Sequence, residues 1–265
     1  MNDDRDRGGS PTDDYREFRP RPPLSEFLVC LWAKTIRSAS ESLQRVLPDA
    51  CVDIVVIDGT PFLVGPCTEP ILIFVPPGST IVGARFHPGC GPCLTGTPVS
   101  ELSNREVALS EIVGSSMAAC FEQLAGIATI AGRLRAMEEI LTGRVCRTGS
   151  PDFLVRAAVR WIAEHPEEGV DALSHHLGMS HRQVRRRFVA AVGYGPGMFH
   201  SVLRFQRLLK RACGAPVRGH LAQFAADVHY YDQAHMSREV RRFSGAAPGI
   251  LLQSSLCSLQ LSGLV

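Results

Sequence analysis

A repeated pattern near the C-terminus most strongly limits how this chain can fold. The first copy reads LSHHLGMSHRQVRRRFVAAVGYGP over residues 173–196, and the second reads FAADVHYYDQAHMSREVRRFSGAAP over residues 224–248. Gly193 aligns with Gly245 at an offset of 52 residues, but the residues before the turn align at an offset of 51. Self-similarity of this kind indicates a duplicated structural unit. We therefore predict two related modules, the second with one extra residue between its helices.

Each copy is typical of a short apolar helix, a turn and a longer amphipathic helix. The spacing of apolar residues predicts helix pairs over 171–177 with 180–192 and over 220–228 with 232–243, joined by a connector helix over 198–213. The sequence therefore predicts an all-α C-terminal domain of two helix-turn-helix modules.

The second helix of each copy begins at a cap and has one apolar face. Ser180 followed by Gln183 forms a capping box, and Asp232 is suited to cap the other helix alone. Apolar residues four positions apart would bury the inner face, which leaves polar and basic residues on the outer face. The candidate DNA-contacting residues are Ser180, His181, Arg182, Arg185, Arg186, Gln233, Ala234, His235, Ser237, Arg238 and Arg242.

The chemistry of this outer face suits double-stranded DNA. A helix-turn-helix places the start of its second helix in the major groove, where free N–H groups and the helix dipole favour phosphates. Arginine pairs with guanine, and glutamine and histidine offer hydrogen bonds to base edges. An Arg-rich face is also compatible with a plain solvated surface. In both copies the cap, the apolar face and the basic face occupy matching positions along the helix. This repetition favours a sequence-specific transcription regulator.

Charge is divided unevenly along the chain. Residues 1–150 carry 14 Lys and Arg against 18 Asp and Glu, whereas residues 151–265 carry 14 against 8. This division indicates a polyanion partner for the basic half. The longest apolar run, 71–76, is shorter than the roughly 20 residues of a membrane span, and the charged N-terminus lacks the apolar core of a signal peptide. We expect a cytoplasmic protein whose nine cysteines are free thiols.

The first half of the sequence predicts a small β-rich domain followed by helices, so the expected fold class is α+β. Val- and Ile-rich runs between Gly and Pro turns predict strands at 27–32, 51–57, 62–64, 71–75 and 80–86. The expected boundaries are a disordered tail at 1–13, a regulatory or dimerisation domain at 14–143, a linker at 144–151, a DNA-binding domain at 152–250 and a tail at 251–265.

Residues 155–250 resemble the DNA-binding domain of the AraC/XylS family of bacterial transcription regulators. The resemblance rests on GMSxRxVxRxF at 178–188, on YDQAHMSREVRRF at 231–243, and on Gly245 with Pro248. It implies seven helices, in which a stiff connector holds two reading helices in successive major-groove segments on one face of the DNA.

Two positions depart from the family pattern. Ser174 stands where the family usually has alanine at the helix contact, which costs stability if its hydroxyl lacks a partner. His229 stands where glycine is usual in the second turn, a position that requires positive φ. We expect copy one, with its complete capping box and three arginines, to supply much of the DNA affinity, and copy two to be more conditional.

The N-terminal half resembles a domain found in a subset of these regulators. The resembling runs are VLPDA at 46–50, VGARFHPG at 82–89 and LTGTP at 94–98. By analogy, this half is suited to bind an unknown small-molecule effector or to form a homodimer, and RNA polymerase is a further candidate partner. The helical stretch 117–141 is compatible with a dimer face and equally with plain core.

One cysteine motif suggests separate chemistry. His87, Cys90 and Cys93 have a spacing that would let three ligands reach zinc or Cu(I), with Cys51 or Cys67 as a fourth. Paired thiols sensing oxidants and ordinary small loop residues are the alternatives. The alternative function is therefore a metal- or thiol-responsive sensor coupled to DNA binding. A cysteine methyl-acceptor enzyme would need an activated thiolate in this same loop. We expect neither an enzyme nor a cofactor.

Overall fold

The computed structural model describes residues 14–37, 42–214 and 221–252, and its first half is built on antiparallel strands. The strands are β1 Asp14–Phe18, β2 Leu28–Thr35, β3 Ser42–Val46, β4 Val52–Ile57, β5 Thr60–Val64, β6 Ile71–Val75, β7 Thr80–Phe86 and β8 Glu106–Ala108. Six of them form one sheet in the order β1-β2-β7-β4-β5-β8, and β3 pairs with β6 in a separate ribbon. The five predicted strands are confirmed.

Three strands were not predicted, and each lies at the edge of a sheet or in the two-stranded ribbon. The segment of β1 was expected to be merely extended, but its residues pair with β2, Tyr15 opposite Lys34. The ribbon strand β3 pairs with β6, and the short strand β8 pairs with β5. Edge strands bury little of their length, so they lack the run of apolar residues by which strands are recognised in sequence.

Helices cover one face of the six-stranded sheet. They are α1 Gly91–Thr95, α2 Leu109–Val113, α3 Ser115–Glu122 and α4 Ile130–Thr148. The break expected at Gly126 is present, because a 3₁₀ turn over Gln123–Gly126 separates α3 from α4. The apolar residues of 117–141 pack with the sheet in one cluster that contains Phe121 and Met137. This packing favours the plain-core alternative for these residues, and the dimer face stays a prediction.

The expected linker over 144–151 is mostly helix. α4 continues to Thr148 because Val145 is buried in the same cluster as Leu141, one turn earlier. Arg144 strengthens this last turn by donating from Nε and Nη2 to the carbonyl of Leu94 at 3.1 and 2.9 Å. Tertiary contacts override the small and polar composition of the segment. The non-helical connection to the next helix shrinks to 149–152.

The second half is helical, as predicted. Its helices are α5 Phe153–Glu164, α6 Val170–His176, α7 His181–Val192, α8 Pro196–Gly214, α9 Leu221–Asp227, α10 Gln233–Ser244 and α11 Pro248–Leu251. Four residues separate α6 from α7 and five separate α9 from α10, so the extra residue expected in the second copy is confirmed. The predicted fold class, a β-rich part followed by an all-α part, is also confirmed.

The predicted tail splits between the described and undescribed parts of the chain. Leu251 ends α11 and is fully buried, whereas 253–265 lie outside the described residues, as do 1–13. Among the helices of the described ranges, none combines the length and the hydropathy that a membrane span requires.

Candidate nucleic-acid interface

The first helix pair holds α7 by a cap at its start and by aromatic packing along its inner face. Ser180 Oγ accepts the Gln183 N–H at 3.4 Å, and Gln183 Oε1 accepts the Ser180 N–H at 3.1 Å, so the capping box is confirmed. Val184 and Phe188 are buried, and the Phe188 ring meets Phe199 of α8 edge-on at 5.3 Å. These contacts fix which side of α7 faces outward.

The outward side of α7 carries the predicted arginines. Arg182, Arg185 and Arg186 are exposed and line an open concavity of about 450 Å³. The N-terminal half forms its other wall with Pro98 and Ser100. Three guanidinium groups around one opening create a site of positive potential for phosphate or base oxygens.

Two other basic residues of α7 make contacts within the C-terminal half. His181 Nε2 lies 3.3 Å from Asp171 of α6. Arg187 donates to Asp152, the N-cap of α5, at 2.8 Å. His181 was predicted to contact DNA and its side chain remains more than half exposed, whereas Arg187 serves the packing of two helices.

The second helix pair presents α10 in the corresponding way. Asp232 Oδ1 accepts the His235 N–H at 2.6 Å, which confirms the predicted cap. Met236 and Val240 are fully buried on the inner face. The predicted residues on the open outer face are Gln233, Ala234, Arg238 and Arg242.

Two side chains of α10 that were predicted to contact DNA are bound within the second helix pair. His235 Nε2 lies 3.5 Å from Glu239, and its ring packs edge-on against Tyr230 at 5.4 Å. Ser237 donates its hydroxyl to the Gln233 carbonyl one turn earlier, at 2.8 Å. These two side chains are thus less available to a ligand than Gln233 and Arg238.

Three residues at the second module were missing from the sequence-based set. Arg241 is exposed on the same face as Ala234 and Arg238, at steps of four and three that could have identified it. Tyr231 is 92% exposed directly before the cap residue Asp232, so a large aromatic ring projects at the start of α10. The third is Arg204 of α8, which no local pattern signals.

Arg204 ties the second turn to the connector helix. Its guanidinium donates to the His229 carbonyl at 3.3 Å, bonds Glu239 of α10 at 3.3 Å, and lies 4.8 Å over the Tyr230 ring. One side chain therefore holds the turn, the reading helix and the connector together. This explains how the longer second turn keeps a defined shape.

His229 takes the backbone conformation expected at the second turn. Its φ is 62°, in the left-handed region where glycine is favoured. Ser174, the other departure from the family pattern, is buried, and its hydroxyl has no hydrogen-bond partner within the described residues. Each of the two departures from the family pattern therefore lowers stability, Ser174 in the first module and His229 in the second.

We expect His229→Gly to raise the free energy of unfolding by about 0.5–1 kcal/mol. Left-handed backbone costs a residue with a Cβ about 1–2 kcal/mol, and the greater freedom of glycine in the unfolded chain offsets part of that gain. Urea unfolding monitored by circular dichroism measures the change. The control His175→Gly, at an exposed helical position of α6, should destabilise instead, and equal losses in both variants would contradict the strain at His229.

The proposed metal motif is not assembled. Cys90 and Cys93 are buried in the apolar cluster of the first half, and the Cys90 thiol is 3.8 Å from the Glu26 carbonyl. Burial raises the pKa of Cys90 to about 12 and also raises that of Cys93. Burial lowers the pKa of His87, as does the nearby Arg156. Within the described residues no three metal-binding side chains converge, so the metal hypothesis, with Cys51 or Cys67 as fourth ligand, is wrong.

Comparison with known proteins gives a family-model match within the β-rich part and a distant structural likeness over most of the chain. Residues 16–108 match a family model described as a domain of unknown function, DUF6597. No curated protein matches the chain. ToxT from Vibrio cholerae O395 is 9% identical, with a TM-score of 0.45 over 86% of this chain and 97% of that chain. ToxT of strain SCE256 bound to an unsaturated fatty acid is 10% identical, with a TM-score of 0.43 over 85% and 94%.

Proposed function

We propose that this protein is a sequence-specific, DNA-binding transcription regulator of the AraC/XylS type. In this proposal α7 and α10 enter two successive major-groove segments. Arg182, Arg185 and Arg186 read bases or bind phosphates in the first segment. Gln233, Ala234 and Arg238 do so in the second, where Arg241 and Arg242 bind phosphates.

The observation that carries the proposal is the occurrence of the same arrangement twice. In each helix pair a side-chain cap fixes the start of the second helix, a pair of apolar residues buries one side, and arginines stand on the opposite side. A single basic helix face is often just solvated. Two such faces, Arg182 with Arg186 and Ala234 with Arg238, occupy matching helical positions and suit two DNA half-sites.

In vitro selection from a random duplex pool tests the proposal. The full-length protein should enrich one sequence with two conserved segments about one helical turn apart, the spacing of successive major grooves. Its affinity for that duplex should fall steeply with salt, because arginines that neutralise phosphates release counterions. Recovery of no sequence, together with an affinity that does not depend on salt, would contradict DNA reading by these helices.

A further inference from the structure

Two of the three N-terminal sequence runs that resemble a known domain meet at one buried ion pair. Asp49, from VLPDA, has Oδ2 3.3 Å from Nε of Arg85, from VGARFHPG. Arg85 also pairs with Asp53 of β4 at 3.2 Å, and all three side chains are largely buried. Asp49 Oδ1 further accepts the Cys51 N–H at 2.9 Å. The segment between β3 and β4 is thereby fastened to the sheet.

This segment projects into the helical half. Leu47 and Ala50 are each 2% exposed, and both belong to the apolar cluster of the C-terminal helices. The carbonyl of Pro48, between them, accepts a hydrogen bond from Gln206 Nε2 at 2.5 Å. Gln206 lies in the middle of the connector helix α8, so the segment contacts the element that joins the two helix pairs.

The N-terminal half also contacts the far end of each reading helix. Ser103 donates its hydroxyl to the carbonyl of Gly193, the residue that caps the C-terminus of α7, at 2.9 Å. Arg45 Nη1 donates to the carbonyl of Ser244, the last residue of α10, at 2.9 Å. Together with the contact to the connector, these bonds tie the N-terminal domain to the first module, the second module and the helix between them.

We propose that the N-terminal domain sets the spacing between α7 and α10, through Ser103 at the first module, Arg45 at the second and Pro48 at the connector. The inference rests on the proposed function, since spacing matters only to a protein that reads two DNA segments. Arg45 and Ser103 are positioning residues that act on the spacing between the reading helices α7 and α10. Removing their bonds leaves α8, its contact with Pro48 and the shared apolar cluster to hold the two modules.

The test uses the selected duplex and variants of it with one or two base pairs inserted between the two segments. One inserted base pair moves a half-site by about 3.4 Å and rotates it by about 35°. Wild-type protein, measured by fluorescence anisotropy, should lose about tenfold in affinity for each insertion. Arg45→Ala/Ser103→Ala should bind the uninserted duplex within about threefold of wild type, with an unchanged salt slope, and should lose about threefold or less on insertion.

Conservative and neutral variants separate spacing control from general damage. Ser103→Thr keeps the hydroxyl, so it should retain the wild-type penalty for insertion. The Arg105 guanidinium donates to the Glu101 carbonyl within the same domain. Arg105→Ala removes this cation and should also behave as wild type. If the double variant fails to fold, Arg45→Ala and Ser103→Ala are measured singly against the same duplexes.

Each result bears on one proposal. A wild-type insertion penalty retained in Arg45→Ala/Ser103→Ala, or in both single variants, would overturn spacing control while leaving DNA reading intact. Failure of wild-type protein to select any duplex would instead overturn the proposed function itself. Relaxed spacing in the double variant, with Arg105→Ala unchanged, would support the assignment.

Discussion

Arg186→Ala should weaken binding to the selected duplex by about 1–3 kcal/mol and relax base preference at one position, if this arginine pairs with a base. Arg186 stands near the middle of α7, on the side opposite the buried Val184 and Phe188. The loss should appear in anisotropy titrations against the selected duplex and against duplexes changed at single positions. Uniform weakening on every sequence, with a shallower salt slope, would make Arg186 a phosphate contact instead.

Arg187→Ala is the matched control on the same helix. Its guanidinium is paired with Asp152, so the variant removes the same charge without removing a reading side chain. It should change DNA affinity little and lower stability by less than about 1 kcal/mol, as for other exposed ion pairs. Equal DNA-binding losses for Arg186→Ala and Arg187→Ala would contradict the orientation of the reading face.

Arg238→Ala, the equivalent change in α10, should cost less than Arg186→Ala if the first module supplies most of the affinity.

Gly193→Ala should lower the free energy of unfolding by about 2–4 kcal/mol, the sum of backbone strain and overpacking. Gly193 has a φ of 101°, a region that residues with a Cβ rarely adopt. An added Cβ would lie 2.6 Å from both Pro66 Cγ and Ser103 Oγ of the N-terminal half. The side chain would therefore push the two halves apart where they touch. Urea unfolding of the full chain measures the loss.

Gly245→Ala separates these two causes. Gly245 directly follows α10 as Gly193 directly follows α7, with a φ of 69°, but among the described residues a Cβ there would meet only Pro70 Cγ, at an ordinary 3.6 Å. It should cost about 1–2 kcal/mol from backbone strain alone. If both alanine variants lost equal stability, the close approach at Gly193 would contribute nothing. The comparison thus measures how tightly the first module is held against the sheet domain.

Local signals in the sequence were sufficient to predict the helix pairs. A cap, an apolar period and a following glycine all lie within about fifteen residues, so the boundaries of α7 and α10 agree with prediction to within a residue or two. The outward positions of Arg182 and Arg238 follow from the same period. These features need no information from distant parts of the chain.

The features that escaped prediction depend on contacts between distant residues. The C-terminal turn of α4 is stabilised by Arg144 binding a carbonyl about fifty residues earlier, and Arg204 fixes a turn 25 residues further along. The spacing of His87, Cys90 and Cys93 matched a metal motif, but the two cysteine side chains are buried in the apolar core of the N-terminal half. The spacing of residues in a sequence shows which side chains are close along the chain. It does not show which distant residues bury them.

The projecting segment of the sheet domain affects how the protein is made. Leu47 and Ala50 leave the ribosome more than a hundred residues before α5 to α8, whose apolar side chains they join. Since N-terminal domains fold first during synthesis, a completed sheet domain should present these two residues to water until the helices follow. Conversely, a helical half expressed alone would lack them and leave an apolar depression beside Gln206. The two halves are therefore expected to mature in order and to be least prone to aggregate when joined.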